Sequence, residues 1–163
     1  MLKARLILFL ILMFLLDTNA QQKEKLVLSS GAFGILDKEK VFMGSLDLLI
    51  GEKGRIIVPK VGVMFTSENS IYTYLGFNLS QPIFFGFSLS FSFAPGLYYS
   101  FRKDILGHVL EFNSGMEISY SYPDQSEISL SFHHISNGGL SKFNPGAEFI
   151  LISYSFPLRK DSP

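Results

Sequence analysis

Residues 85–93 read FGFSLSFSF. In an extended chain, Phe85, Phe87, Leu89, Phe91 and Phe93 fall on one side, and Gly86, Ser88, Ser90 and Ser92 on the other, because successive strand side chains point to opposite faces. A helical period would scatter both sets around the axis, so the stretch reads as a strand. One face is large and apolar, the other small and polar. That division suits a transmembrane β-barrel, with an apolar band towards lipid and a tight interior of small polar groups. The rival is a soluble sandwich or lipocalin-like barrel with the apolar face inward. The Phe-rich face and the last aromatic strand, SYSF (153–156), favour the membrane.

The same alternation recurs on both sides of this stretch. It runs through 25–36, 40–50, 55–65, 70–79, 83–93, 106–122, 127–136 and 147–156, with turn-like connectors such as DKE, GEKG, TSEN, SQP and YPDQS between them. The segment APGLYYSFRKD (94–104) either lengthens strand five or forms a loop. The expected fold is therefore all-β: an eight-stranded antiparallel transmembrane barrel, with interior room only for side chains. The 17 Phe and 7 Tyr supply aromatic residues for girdles at the two interfaces. A polar tail, PLRKDSP, follows Phe156, a mild departure from barrels that finish on the aromatic residue.

The N-terminus has its own composition. MLKARLILFLILMFLLDTNAQQ (1–22) has a basic start at Lys3 and Arg5, an apolar run from Leu6 to Leu16, and Thr18-Asn19-Ala20. This predicts a signal peptide over 1–20, cleaved after Ala20, and one barrel domain over 21–163. The run is shorter than the ~20 residues of a spanning helix. A formal net charge of zero gives no sign of a nucleic-acid surface. The absence of Cys removes disulfides, thiolate catalysis and Cys-ligated metals.

Three polar residues interrupt the outward face of the last two strands. On 127–136, His134 and Ser136 share a face with Ile128, Leu130 and Phe132. On 147–156, Glu148 shares a face with Ile150, Ile152, Tyr154 and Phe156. A hairpin that pairs His134 with Glu148 closes symmetrically about Ser141 and places their Cβ atoms about 5 Å apart. A carboxylate, an imidazole and a hydroxyl can then line up. Serine needs a base to take its proton, and a carboxylate fixes the tautomer of that base. Asn137 and the backbone N–H groups of Gly138 and Gly139 are candidate oxyanion donors. Leu130, Phe132 and Ile150 are candidates for an acyl-chain groove. The pattern alone admits two interpretations: solvated or structural polar groups near a barrel rim, or a catalytic set. Unpaired polar groups on a lipid-directed face are expensive, which weighs towards function.

HISNGGLSKFNPGAEF (134–149) resembles the His-x-Ser-Asn…Asn-x-Gly…Glu signature of the outer-membrane lipid A 3-O-deacylases, the PagL family. The preceding LEFNSGMEISYSYPDQSEISLSFHHISNGGL (110–140) resembles that family's approach to the motif, so the detailed likeness covers the C-terminal third. The resemblance implies an eight-stranded barrel whose Ser-His-Glu triad on the outer wall cleaves the ester-linked acyl chain at position 3 of lipid A. It makes Ser136 the nucleophile, His134 the base, Glu148 the orienting acid and Asn137 a neighbour of the oxyanion hole. It implies no metal and no cofactor. The Gly138-Gly139 pair departs from the family, where small residues such as Ala are common.

Topology places the same residues independently. With both termini in the periplasm, the connector 137–146 after strand seven is extracellular. Ser136, His134 and Glu148 then lie at the outer-leaflet end of the wall, where lipid A resides. The expected partners are lipopolysaccharide and outer-membrane lipids, with a homodimer left open and no nucleic acid. The alternative is a non-catalytic outer-membrane barrel for binding or adhesion. A soluble α/β-hydrolase is disfavoured, since no Gly-x-Ser-x-Gly elbow occurs. His133 points inward and reads as structural, as does the isolated His108. Asp47, Glu111 and Glu117 are candidate interior charges, expected to pair with Lys or Arg. Asn113 and Ser114 carry no clear sequence assignment.

Overall fold

A computed structural model describes residues 24–38, 40–51, 56–101 and 106–158. The expected signal peptide and its cleavage point lie outside the described residues. Eight antiparallel strands close into a barrel: β1 (Glu24–Phe33), β2 (Val41–Ile50), β3 (Ile57–Thr66), β4 (Ser70–Pro82), β5 (Phe87–Ser100), β6 (Leu110–Ser121), β7 (Glu127–Ser136) and β8 (Ala147–Pro157). Every strand pairs with its sequence neighbours, and β1 pairs with β8. Closure leaves no open sheet edge, the condition for a sheet to sit in hydrocarbon. The undecided segment 94–104 extends strand five as far as Ser100, while 106–109 is loop rather than strand.

The direction of the apolar face is now fixed. Leu89, Phe91 and Phe93 are 36–49% exposed, whereas Ser90 between them is 5% exposed. The soluble alternative, with that face inward, is overturned. The arrangement is that of a transmembrane barrel, with short turns at one end and the longer connectors 101–109 and 137–146 at the other.

The interior is not uniformly small and polar. Phe33, Met43, Met64, Tyr72, Tyr98, Leu106, Ile135 and Phe149 are buried together near the end that carries connectors 101–109 and 137–146 and fill that half. Below them the lumen is polar. Tyr74 Oη donates to Asp47 at 2.7 Å and Ser45 Oγ donates to its other oxygen at 3.1 Å. Ser129 Oγ donates to Glu117 at 3.0 Å. Among the described residues, hydroxyls make the hydrogen bonds to Asp47 and Glu117, and the lumenal Lys60, which lies over the Tyr74 ring at 5.5 Å, is the cation whose charge acts on Glu117. Glu111 is also buried. The apolar plug, with Ile135 and Phe149, backs the wall at the level where the polar outward residues sit.

Candidate active site

The hairpin register brings two of the three residues together. His134 stands directly opposite Glu148, and His134 Nδ1 lies 3.0 Å from Glu148 Oε1. Glu148 is the second residue of β8, and the N–H of Ile35 donates to its carbonyl oxygen at 3.0 Å, tying that corner to the β1–β2 connector. With Nδ1 facing the carboxylate, the proton of a neutral imidazole belongs on Nδ1. That leaves Nε2 as the acceptor.

Ser136 ends β7, two residues beyond His134 on the same face, and is half-buried. Its hydroxyl makes no hydrogen bond among the described residues. Nucleophile–base contacts of this kind often tighten only when substrate binds. Leu130, Phe132 and Ile150 are 48%, 42% and 37% exposed on the lipid face below the pair. Phe132 opposes Ile150, and Leu130 opposes Ile152, so these side chains form one continuous apolar strip.

Asn137 is placed differently from the sequence expectation. Its side chain is fully buried. Nδ2 donates to the carbonyls of Leu106 (3.1 Å) and Phe143 (3.0 Å), and Oδ1 accepts from Gly139 N–H at 3.0 Å. Both amide hydrogens are committed, so the Asn137 side chain is a pin between two extracellular connectors and not a free oxyanion donor. Gly139 N–H is committed to the same pin. Of the three proposed donors, Gly138 N–H alone makes no hydrogen bond among the described residues. The signal that Asn137 is structural was its position directly after a strand, where Asn side chains commonly bond nearby backbone.

Two residues of the connector matter more than the sequence suggested. Asn137 N–H donates to Asn144 Oδ1 at 3.0 Å. Gly146 has φ +65°, and a Cβ there would lie 2.8 Å from His134 Cε1. The imidazole thus rests against the backbone of Gly146. The sequence cue was the Asn-x-Gly element, but spacing alone does not say what the glycine touches.

The other histidines are structural. His133 points inward, its Nδ1 lies 3.1 Å from Asn113 Oδ1, and its ring stacks on Phe149 at 4.8 Å. His108 Nδ1 accepts from the Leu110 N–H at 3.0 Å. A cavity of about 410 Å³ opens at the opposite end of the barrel beside Lys25, Glu117 and Glu127, away from His134 and Glu148.

The fold resembles solved membrane barrels. The crystal structure of the outer membrane enzyme PagL aligns with a TM-score of 0.62 at 15% identity, covering 82% of this chain and 99% of that one. A de novo designed transmembrane β-barrel aligns at 0.58 and 8% identity, covering 83% and 95%. The Yersinia pestis outer membrane protein Ail aligns at 0.51 and 13%, covering 83% and 100%. At these identities the likeness concerns the fold alone, and none of the three speaks for a homodimer. No curated protein sequence matches the chain. The family model for lipid A 3-O-deacylase (PagL) matches residues 49–157, a span that includes His134, Ser136, Glu148 and the connector between them. With about two thirds of its length inside that match, the chain belongs to the lipid A 3-O-deacylase (PagL) family.

Proposed function

We propose that this outer-membrane lipid A deacylase is a serine esterase that removes the acyl chain ester-linked at position 3, with Ser136, His134 and Glu148 as its working residues. The observation that carries this reading is the His134–Glu148 contact of 3.0 Å on a wall otherwise facing hydrocarbon. An ion-pair-capable couple is expensive to hold there without a task.

The chemistry follows from the positions. The Ser136 hydroxyl attacks the ester carbonyl while His134 Nε2 takes its proton. Glu148 holds the Nδ1–H and stabilises the imidazolium that forms. The Gly138 N–H is the available backbone donor for the oxyanion. Collapse breaks the bond to the sugar oxygen, which receives the proton from His134 and leaves as the 3-hydroxyl of the saccharide. Water, deprotonated by His134, then attacks the acyl carbonyl, and as the bond to the Ser136 oxygen breaks His134 returns the proton to that oxygen, releasing the chain as a free 3-hydroxy fatty acid. No step requires a metal or cofactor. The site lies at the extracellular end of the wall, at the depth where headgroup meets acyl chain in the outer leaflet. Leu130, Phe132 and Ile150 offer the departing chain an apolar path.

The test is mass spectrometry of lipid A after incubation with refolded protein in detergent, beside Ser136→Ala. Loss of one 3-hydroxyacyl chain from position 3, absent with the variant, supports the reading. Unchanged lipid A with a folded barrel refutes it and leaves a binding or adhesion role.

A further inference from the structure

The outward face of β6 reads Phe112, Ser114, Met116, Ile118 and Tyr120. Ser114 is exposed and, apart from the Tyr120 hydroxyl at the far end, is the polar side chain in that row. It stands directly opposite His134 on β7 and Phe93 on β5. The imidazole is therefore flanked by Glu148 on one side and by a hydroxyl on the other. Opposed Cβ atoms lie about 5 Å apart, closer than the ~6.6 Å between alternate residues of one strand. Ser114 is thus nearer to His134, strand to strand, than Ser136 is along the chain.

The Ser114 hydroxyl makes no hydrogen bond among the described residues. Phe93 and Phe112, whose rings stack at 6.1 Å, and Met116 surround it. An unsatisfied hydroxyl facing hydrocarbon is unfavourable, which makes a ligand group its natural partner.

The wall also has a polarity profile. Ser136 opposes Phe112 at the rim, and the ester carbonyl is attacked at that level. An acyl chain descending between β6 and β7 next crosses the pair Ser114 and His134, then Met116 and Phe132, then Ile118 and Leu130. The first pair is polar and the following two are apolar. A fatty acyl chain with a hydroxyl on its β-carbon has the same order: ester, hydroxyl two carbons further on, then hydrocarbon.

We infer that Ser114 is a specificity-determining residue, which binds the β-hydroxyl of the scissile acyl chain and selects 3-hydroxyacyl over unsubstituted acyl esters. The inference rests on the esterase reading above and adds the substrate feature which that site recognises. Ser114 can donate to or accept from a hydroxyl. A site built around such a bond rejects the analogue that lacks it. One neutral hydrogen bond corresponds to a preference of roughly three- to tenfold.

The experiment compares kcat/KM on two glucosamine monosaccharides 3-O-acylated with chains of equal length, one 3-hydroxylated and one not. Refolded wild type, Ser114→Ala and Ser114→Thr are assayed, with heat-modifiable gel mobility confirming a folded barrel in each. Wild type should favour the hydroxylated ester roughly three- to tenfold. Ser114→Ala should bring the ratio close to one through a fall on the hydroxylated ester, and Ser114→Thr should keep part of the preference. Absence of a preference in wild type overturns the inference, and so does an unchanged ratio in Ser114→Ala. An equal fall on both esters also overturns it, because Ser114 would then support the imidazole rather than the substrate. Wild type inactive on both esters refutes the esterase reading itself, and this inference with it.

Discussion

Glu148 Oε1 lies 3.0 Å from His134 Nδ1, across a register in which the two residues are direct partners. The contact spans adjacent strands, so it is set by the sheet and not by a mobile loop. If Glu148 serves only to orient and stabilise the imidazole, its loss should hurt less than loss of the groups that make and break bonds. Ser136→Ala and His134→Ala are expected to lower kcat on lipid A by about 10⁴-fold or more, and Glu148→Ala by roughly ten- to a hundredfold less than that. Parallel rate measurements on folded protein check this. Equal and small losses for all three would remove the triad from the mechanism.

Gly146 tests the fit of the ring. A Cβ at this position would meet His134 Cε1 at 2.8 Å, and φ is +65°. Gly146→Ala should displace the imidazole and lower kcat by about a hundredfold, the scale of a 1 Å misplacement. Backbone strain alone could also slow the enzyme. Gly139→Ala separates the two causes, since φ there is +85° but a Cβ would meet nothing within 4 Å. It should cost clearly less activity. Similar losses in both variants would assign the effect to strain.

Asn137 should behave as a pin. Asn137→Ala leaves the carbonyls of Leu106 and Phe143 without its amide donor and frees the Gly139 N–H. Each buried group left unsatisfied costs about 1–3 kcal/mol, spent locally because the strands do not depend on it. The connector 137–146 should become susceptible to limited proteolysis while gel mobility stays that of a folded barrel. Protease resistance equal to wild type, with activity lost, would instead point to direct contact with the reacting ester.

Much of this was legible in the sequence, for identifiable reasons. Period-two alternation in 87–93 gave both strand and facing, because lipid on one side and a narrow lumen on the other leave few solutions, whereas Phe85 and Gly86, at φ +47° and +84°, form the turn before β5. The pairing of His134 with Glu148 followed from loop symmetry about Ser141, since a one-residue slip would turn one of them inward. The lumen was less legible. Partners of Asp47 and Glu117 depend on which interior side chains converge from distant strands, and alternation does not report height. The plug around Phe149 and Phe33 was hidden for the same reason. Asn137 misled because a polar residue beside a candidate nucleophile looks the same in sequence whether it faces the substrate or the loop. Ser114 was unreadable until the β6–β7 register set it beside His134.

The inner surface of the same wall offers a final prediction. Gly115, next to Ser114, faces the lumen, and a Cβ there would overlap the His133 imidazole. That ring cannot easily yield, because it stacks on Phe149 with an interplanar angle of 6° and contacts Asn113 at 3.1 Å. Gly115→Ala should therefore destabilise the barrel by about 1–3 kcal/mol, the usual scale of overpacking. The measurement is the temperature at which gel mobility shifts from folded to unfolded. Removing the obstructing ring relieves the clash, so adding His133→Ala to Gly115→Ala should be less damaging than the sum of the two single changes. Strict additivity would mean that the glycine is tolerated for some reason other than the histidine. His133 directly precedes His134, so a ring forced aside inside the barrel should also disturb the imidazole outside. Gly115→Ala is accordingly expected to lose activity at temperatures where the barrel is still fully folded.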